Sequence, residues 1–258
     1  MIAIRSKDEI EKIRKSAKVL EKAFRAVEEN LEIGVKTNFL DQQVEKVIRS
    51  LGAEPAFKGY RQYPASICAS IDEEVVHGIP GQRELKSGEI VSIDIGVQLD
   101  GYYSDAAKTY TMDVVAPEKR VLVDATRKAL HQGIRQCREG NRLSDISYAI
   151  QSYTESKGFS VVTALVGHGI GTQLHEEPQI PNYGPPHQGP KLKSGMVFAI
   201  EPMINMGSSE VKILKDGWTV VTIDKQPSAH FEHTVLITEG EPEILTFGLE
   251  DYWGNKDG

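Results

Sequence analysis

Apolar residues near the start of the chain recur at steps of three and four, through Ile10, Ile13, Ala17, Leu20, Phe24 and Val27. That spacing is one buried helix face, and Ser6 followed by Glu9 is a capping-box signature, so a helix is predicted over residues 6 to about 31. After Gly34, a Thr37-Asn38 cap opens a second amphipathic run through Leu40, Val44, Val47, Ile48 and Leu51, closed by Gly52. A second pair follows. Pro117 starts a helix through Leu122, Ala125, Ala129, Ile134 and Cys137 to Gly140, and Ser144 caps another through Ile150 and Tyr153 to Gly158. Between the pairs, Ile90 to Gln98 reads as a strand, Asp100-Gly101 as a type I′ turn and Tyr102 to Thr111 as the returning strand.

The two halves echo each other. Gly34 to Gly52 has the spacing of Gly140 to Gly158, and Leu85-Lys-Ser-Gly leading to Asp94 aligns with Leu192-Lys-Ser-Gly leading to Glu201. His77-Gly-Ile and His168-Gly-Ile form a further matched pair. A recurring pattern of this kind reads as an internal duplication. The expected architecture is one α+β domain over residues 1–258, with halves of about 6–115 and 117–245, helix pairs outside and strands of both halves meeting in the middle. The halves differ most in a Pro/Gly-rich stretch from Gly171 to Pro190, read as a long loop, and long loops without regular structure are usually functional.

Composition narrows the class without naming a function. At 258 residues, with 40% hydrophobic and 26% charged content, the chain can bury a sizeable core without covalent staples. Two cysteines, Cys68 and Cys137, are too few for a disulfide framework or a Cys-rich zinc site and point to a reducing cytoplasm. The net charge of −7 argues against nucleic-acid binding through a basic surface. Early charges at Arg5, Lys7, Asp8 and Glu9 exclude a signal peptide, and no apolar run approaches the length of a membrane helix.

The chemistry lies in acids embedded in apolar strands. With a two-residue turn, Asp94 faces Ala107, and Asp105 lies diagonal to Asp94 on the same face, about 7–8 Å away along the backbone. Glu201, at the repeat position of Asp94, and Glu232 in Phe-Glu-His-Thr are likewise surrounded by apolar residues. One such acid could be paired with Arg or Lys, but four call for a positive partner, because an unpaired buried carboxylate is too costly. His168, between Gly167 and Gly169, adds a nitrogen donor where the missing side chains allow close backbone approach. Oxygen-rich donors with one imidazole suit Mn²⁺, Fe²⁺, Co²⁺ or Zn²⁺ at a two-metal site. Spacing alone establishes metal binding and no more. His131, His187 and His230 have no motif around them and are read as surface or structural.

The motifs His77-Gly-Ile-Pro, Asp94-Ile-Gly, Tyr103-Ser-Asp, Gly167-His-Gly-Ile-Gly, His175-Glu-Glu-Pro, Ile200-Glu-Pro-Met, Asp216-Gly-Trp and Phe231-Glu-His-Thr span nearly the whole chain. Together they resemble the type I methionine aminopeptidases of metallopeptidase family M24, in a bacterial-type form without N-terminal extensions. The resemblance implies a pseudo-twofold "pita-bread" fold, with a central curved antiparallel sheet and two pairs of helices outside. It implies two divalent ions, with Asp94 and Asp105 on one, His168 and Glu201 on the other, and Asp105 and Glu232 bridging. A water or hydroxide shared by the ions would attack the scissile carbonyl and release the N-terminal methionine of nascent chains whose second residue is small. Glu201 is the implied proton shuttle, His175 the donor to the developing oxyanion and His77 a contact to the scissile amide. Tyr60, Tyr63, Cys68 and Trp218 match the family's methionine pocket, while Phe57 and Leu174 occupy pocket positions where other members carry different residues. A cytoplasmic monomer in transient contact with the ribosome is the implied setting. The competing readings are an X-Pro peptidase of the same fold and a binding module that has lost its metal ligands.

Overall fold

At the N-terminus the Ser6 hydroxyl accepts from the Glu9 N–H at 3.3 Å while the Glu9 carboxylate accepts from the Ser6 N–H at 2.9 Å, closing the expected capping box. The protein is represented by a computed structural model that describes residues 2–246, so Met1 and residues 247–258 of the expected 1–258 domain lie outside the described residues. The two helix pairs are α1 (Lys7–Asn30) with α2 (Thr37–Ser50), and α3 (Pro117–Ile134) with α4 (Leu143–Ser156).

Three boundaries and one loop differ from the sequence reading. Thr37 is the first residue inside α2 rather than its cap, because its hydroxyl is engaged with Gly81, accepting from the Gly81 N–H at 2.9 Å. Ser144 likewise lies inside α4; its hydroxyl accepts from the Gln188 N–H at 2.7 Å, and the Asp145 carboxylate caps the Arg142 N–H at 2.8 Å instead. α3 stops at Ile134, and Cys137 is buried in the turn beyond it, which extended the apolar pattern past the helix. The stretch after Gly171 is not all loop. Glu176–Pro181 forms a strand at one edge of the central sheet, a position that tolerates its prolines because an edge strand has an unpaired side.

The central sheet has nine strands among the described residues. In order along its main path run Glu54–Pro55, Ile90–Leu99, Tyr102–Thr111, Glu232–Leu236, Val197–Ile200, Val166–Gly169 and Glu176–Pro181; Ile67–Ile71 also pairs with Ile90–Leu99, and Glu243–Ile244 with Glu232–Leu236. Every pairing in it is antiparallel. The join between halves lies where Glu232–Leu236 meets Tyr102–Thr111. Behind the sheet, α1 and α2 bury Leu20, Phe24, Leu40, Val44 and Ile48 against Ile67, Ile93 and Ile95. Leu122, Leu130, Ile146 and Ile150 of α3 and α4 pack with Phe198, Ile200 and Val235.

The same backbone contacts recur in the two halves. Gly34 donates to the Leu85 carbonyl at 2.7 Å and Leu85 to Val35 at 2.9 Å; Gly140 donates to Leu192 at 3.1 Å and Leu192 to Asn141 at 2.8 Å. Gly88 then donates to Met112, and Gly195 to Ile237, each at 3.0 Å. These paired contacts carry the pseudo-twofold relation and bring Asp94 and Glu201 to related places in the sheet.

Glycines around His168 set how closely the strands approach. A Cβ on Gly167 would lie 2.5 Å from the Ala199 carbonyl oxygen, and one on Gly169 2.3 Å from that of Glu177, both backbone atoms that cannot swing aside. Gly169→Ala should therefore push the edge strand outward, lowering Tm by several degrees for each ~1–2 kcal/mol lost. Thermal unfolding of the variant checks this; an unchanged Tm would show that the strand yields freely.

Candidate metal centre

The hairpin register is the first determinant of the site. Asp94 pairs with Ala107 and Gly96 with Asp105, as a two-residue Asp100-Gly101 turn requires. Ala107 in turn faces Glu232, and Cys68 faces Asp94 from the other side, so Cys68, Asp94, Ala107 and Glu232 form one row across the sheet. Next to it runs a second row, in which the Thr234 hydroxyl accepts from the Asp105 N–H at 3.0 Å, Thr234 faces Ala199, and Ala199 faces His168. Because the side-chain period along a strand is two, Asp94, Asp105, His168 and Glu232 share one face, and Glu201, two residues beyond Ala199, meets them there.

These groups are not paired as ions. Asp94, Asp105, His168 and Glu232 are all buried, and Asp94 Oδ1, Asp105 Oδ1 and Glu232 Oε1 find no hydrogen-bond partner among the described residues. Burial pushes Asp94 up to about 7. Burial, reinforced by the negative charge of its neighbours, holds Asp105, Glu201 and Glu232 well above the ordinary carboxylate range. Burial also pushes His168 down to about 4, so the 3.4 Å approach of its Nε2 to Glu201 Oε1 is a contact between neutral groups in the metal-free protein. His168 Nδ1 donates to the Gly169 carbonyl at 2.9 Å, which leaves the Nε2 lone pair facing the acids, the form an imidazole ligand needs.

The residues fit a hard or borderline divalent cation. Asp105, His168 and Glu232 each offer a ligand atom within 4.8 Å of the others, and Glu201, His230 and Glu232 do the same. Orphaned buried oxygens are expected where a cation belongs, since leaving such atoms unpaired costs about 1–3 kcal/mol each. His230 is the residue that sequence reasoning placed elsewhere. It is 1% exposed, and its Nε2 lies 3.9 Å from Glu201 Oε2. His187 is exposed, facing Asp145 at 3.1 Å, and His131 lies beside His233 with ring centroids 6.5 Å apart, both away from the acids.

A cavity of about 130 Å³ collects the remaining residues named from the sequence: Phe57, Tyr60, Tyr63, Cys68, His77, Leu174, His175 and Trp218 line it together with Asp94, Asp105, Glu201, Glu232 and His168. Tyr63 packs edge-on against Trp218 at 5.0 Å, and Trp218 is placed by Asp216, whose carboxylate accepts from the Trp218 and Thr219 N–H groups at 2.9 Å. Phe57 sits over Gly96, where a Cβ would come within 2.6 Å of its ring. Cys68 is a buried thiol held protonated by burial and by Asp94 beside it, and it acts as apolar lining. His77 adopts φ +60°, a left-handed backbone that non-glycine residues seldom occupy.

His175 stands at the mouth. Its Nδ1 lies 2.9 Å from the Tyr60 hydroxyl, its ring stacks on Tyr60, and the His168 ring is 4.2 Å away. The turn carrying it is tied down by Glu176, whose carboxylate accepts from Thr172 N–H at 2.7 Å and Gln173 N–H at 3.0 Å and pairs with the buried Arg5. Arg5, 171 positions away in sequence, is a second positioning residue that local pattern does not reveal. A wider groove of about 680 Å³ shares Arg61, His168 and His175 with the cavity.

Against known proteins, the profile of metallopeptidase family M24 matches residues 11–239, and the chain belongs to that family. Among the proteins it resembles at more than 40% identity are methionine aminopeptidases. Methionine aminopeptidase 1 of Bacillus subtilis is 48% identical over 246 residues, which cover 95% of this chain and 99% of that protein. The crystal structure of methionine aminopeptidase from Thermotoga maritima superposes with a TM-score of 0.94 at 45% identity, covering 95% of this chain and 99% of the other. The prolidase from Pyrococcus furiosus shares the fold more distantly, with a TM-score of 0.78 and 25% identity, and the match covers only 65% of its length.

The protonation pattern predicts how pH acts on the metal-free protein. The buried histidines, with an ordinary value near 6.5, add an opposing rise that fades by about pH 7.5, above which they are neutral whether folded or unfolded. The raised carboxyls still hold protons that the unfolded chain has lost, so stability falls as pH rises through Asp94's value of about 7. A bound cation displaces those protons and removes the fall. Calorimetric scans between about pH 6.5 and 8, with chelator or with Mn²⁺, should give a descending Tm only in chelator, and a flat metal-free profile would show that the carboxyls are already ionised.

Proposed function

We propose that this chain removes the N-terminal methionine from nascent polypeptides whose second residue is small, using two divalent ions held by Asp94, Asp105, His168, Glu201 and Glu232. The convergence of these five side chains beside an apolar, sulfur-lined pocket carries the reading. Asp94 and Asp105 would hold one ion, His168 and Glu201 the other, with Asp105 and Glu232 shared between them. Mn²⁺, Fe²⁺, Co²⁺ and Zn²⁺ all suit this donor set. When bound, the ions supply Lewis acidity, which acidifies water and polarises a carbonyl.

The chain's own residues do the rest. Tyr60, Tyr63, Cys68 and Trp218, closed by Phe57 and Leu174, surround a long, flexible, polarisable side chain and exclude water from it. Glu201, on the face where the acids converge, takes a proton from the attacking water and returns it to the departing amine. With the Tyr60 hydroxyl donating to His175 Nδ1, the opposite ring nitrogen carries a hydrogen for the substrate carbonyl as negative charge develops there. His77, close to Trp218 with ring centroids 6.1 Å apart, is placed to contact the scissile amide. The catalytic unit is a single domain with halves of about 6–115 and 117–245. Free, buried Cys68 and Cys137 fit a reducing cytoplasm, where a monomer would meet N-termini emerging from the ribosome. Among the described residues no helix is long and apolar enough to cross a membrane.

Two experiments test this. His175→Ala should lower kcat by about 10²–10³ with metal content unchanged, since it removes an interaction made mainly in the transition state; loss of metal would make His175 a ligand instead. With metal-loaded protein, Met-Ala-Ser should be cut well, Leu-Ala-Ser less well by about 1–3 kcal/mol of discrimination, and Met-Lys-Ser scarcely at all. Release of arginine from Arg-Pro-Pro as the best reaction of the panel would replace this reading with an X-Pro peptidase.

A further inference from the structure

His230 has no assigned task, yet its setting is among the most constrained in the molecule. Its backbone N–H donates to the Thr109 hydroxyl at 2.9 Å, that hydroxyl donates to its carbonyl at 2.8 Å, and Met203 pairs with it across a small sheet. The backbone that carries this side chain is therefore fixed, and its Nε2 lies near Glu201. Although the residue is 1% exposed, neither Nδ1 nor Nε2 has a hydrogen-bond partner among the described residues. A buried imidazole in that condition is costly, so a partner belongs there.

The distance indicates which kind. Nε2 lies 3.9 Å from Glu201 Oε2, too far for a hydrogen bond. Two donors bound to one ion at about 2.0–2.2 Å each stand roughly 3.3–4.4 Å apart, from a tetrahedral edge to an opposed pair. His168 Nε2 stands in the same relation to the other oxygen of that carboxylate, at 3.4 Å from Oε1. Glu201 is thus flanked by an imidazole on each oxygen, and Glu232 offers a further oxygen within 4.8 Å of both Glu201 and His230. Resting on the metallopeptidase reading above, we propose that His230 is a second nitrogen ligand of the metal centre, on the Glu201 Oε2 side, beyond the five residues already named.

The test uses the full chain loaded with Mn²⁺ and reads coordination rather than turnover. Pulsed EPR should detect two imidazole nitrogens coupled to Mn²⁺ in the wild type, and one in His230→Ala or His230→Gln. Isothermal titration of Mn²⁺ into the same variants should show one site weakened on the order of 10-fold or more, with the metal-free Tm unchanged or raised. The wild-type spectrum decides the question even if a variant folds poorly: a single nitrogen coupling, on His168 alone, overturns the assignment. So does a folded variant with wild-type affinity and an unaltered spectrum. A wild type that takes up no Mn²⁺ overturns both this assignment and the metalloenzyme reading, whereas metal uptake with only one coupled nitrogen overturns this assignment alone.

Discussion

Four carboxyl groups and two imidazoles brought together away from water impose the constraint on which the rest of this structure depends. Were the acids ionised without compensation, their mutual repulsion and lost hydration would oppose folding. The metal-free protein avoids this by keeping Asp105, Glu201 and Glu232 protonated well above their ordinary range and His168 neutral. Divalent cations resolve the same conflict differently, replacing protons with charge that the orphaned oxygens can bind. Folding thus stores a strong demand for cations at one place, and a cavity lined by Phe57, Tyr63, Cys68 and Trp218 is built against it.

What makes the place is sheet register more than loop geometry. Three of the acids, Asp94, Asp105 and Glu232, and His168 project from strands whose pairing is fixed on both sides, so a slip of one residue would turn each side chain to the opposite face. The helix pairs pack behind the sheet and hold that register, and the glycines beside His168 let the edge strand close in. Loops supply further residues that line the cavity. His175 and Trp218 are each set by a carboxylate that gathers backbone N–H groups, Glu176 in one case and Asp216 in the other.

Much of this was readable in the chain because it depends on local rules. Asp100-Gly101 determines that Asp94 faces Ala107, and the repeated Leu-Lys-Ser-Gly places Glu201 where Asp94 stands in the other half. The amphipathic helices announce themselves through Ile10 to Val27 and Leu40 to Ile48. The unread parts are those decided by distant partners. Thr37 and Ser144 look like caps, but their hydroxyls are claimed by Gly81 and Gln188. The prolines of Glu176–Pro181 hide a strand that only an edge position permits. His230 carries no neighbouring motif, since its relation to Glu201 arises from the crossing of chain segments far apart. Arg5 is obscure for the same reason, its partner Glu176 lying in the opposite half.

The central claim is that this cluster of neutralised acids exists to bind divalent cations. Anomalous X-ray diffraction from crystals grown with Mn²⁺ tests it most directly. The account predicts strong anomalous density at the shared face of Asp94, Asp105, His168, Glu201 and Glu232, within ligand distance of the oxygens that lack partners in the metal-free protein. Crystals saturated with Mn²⁺ that show no anomalous density there would contradict it.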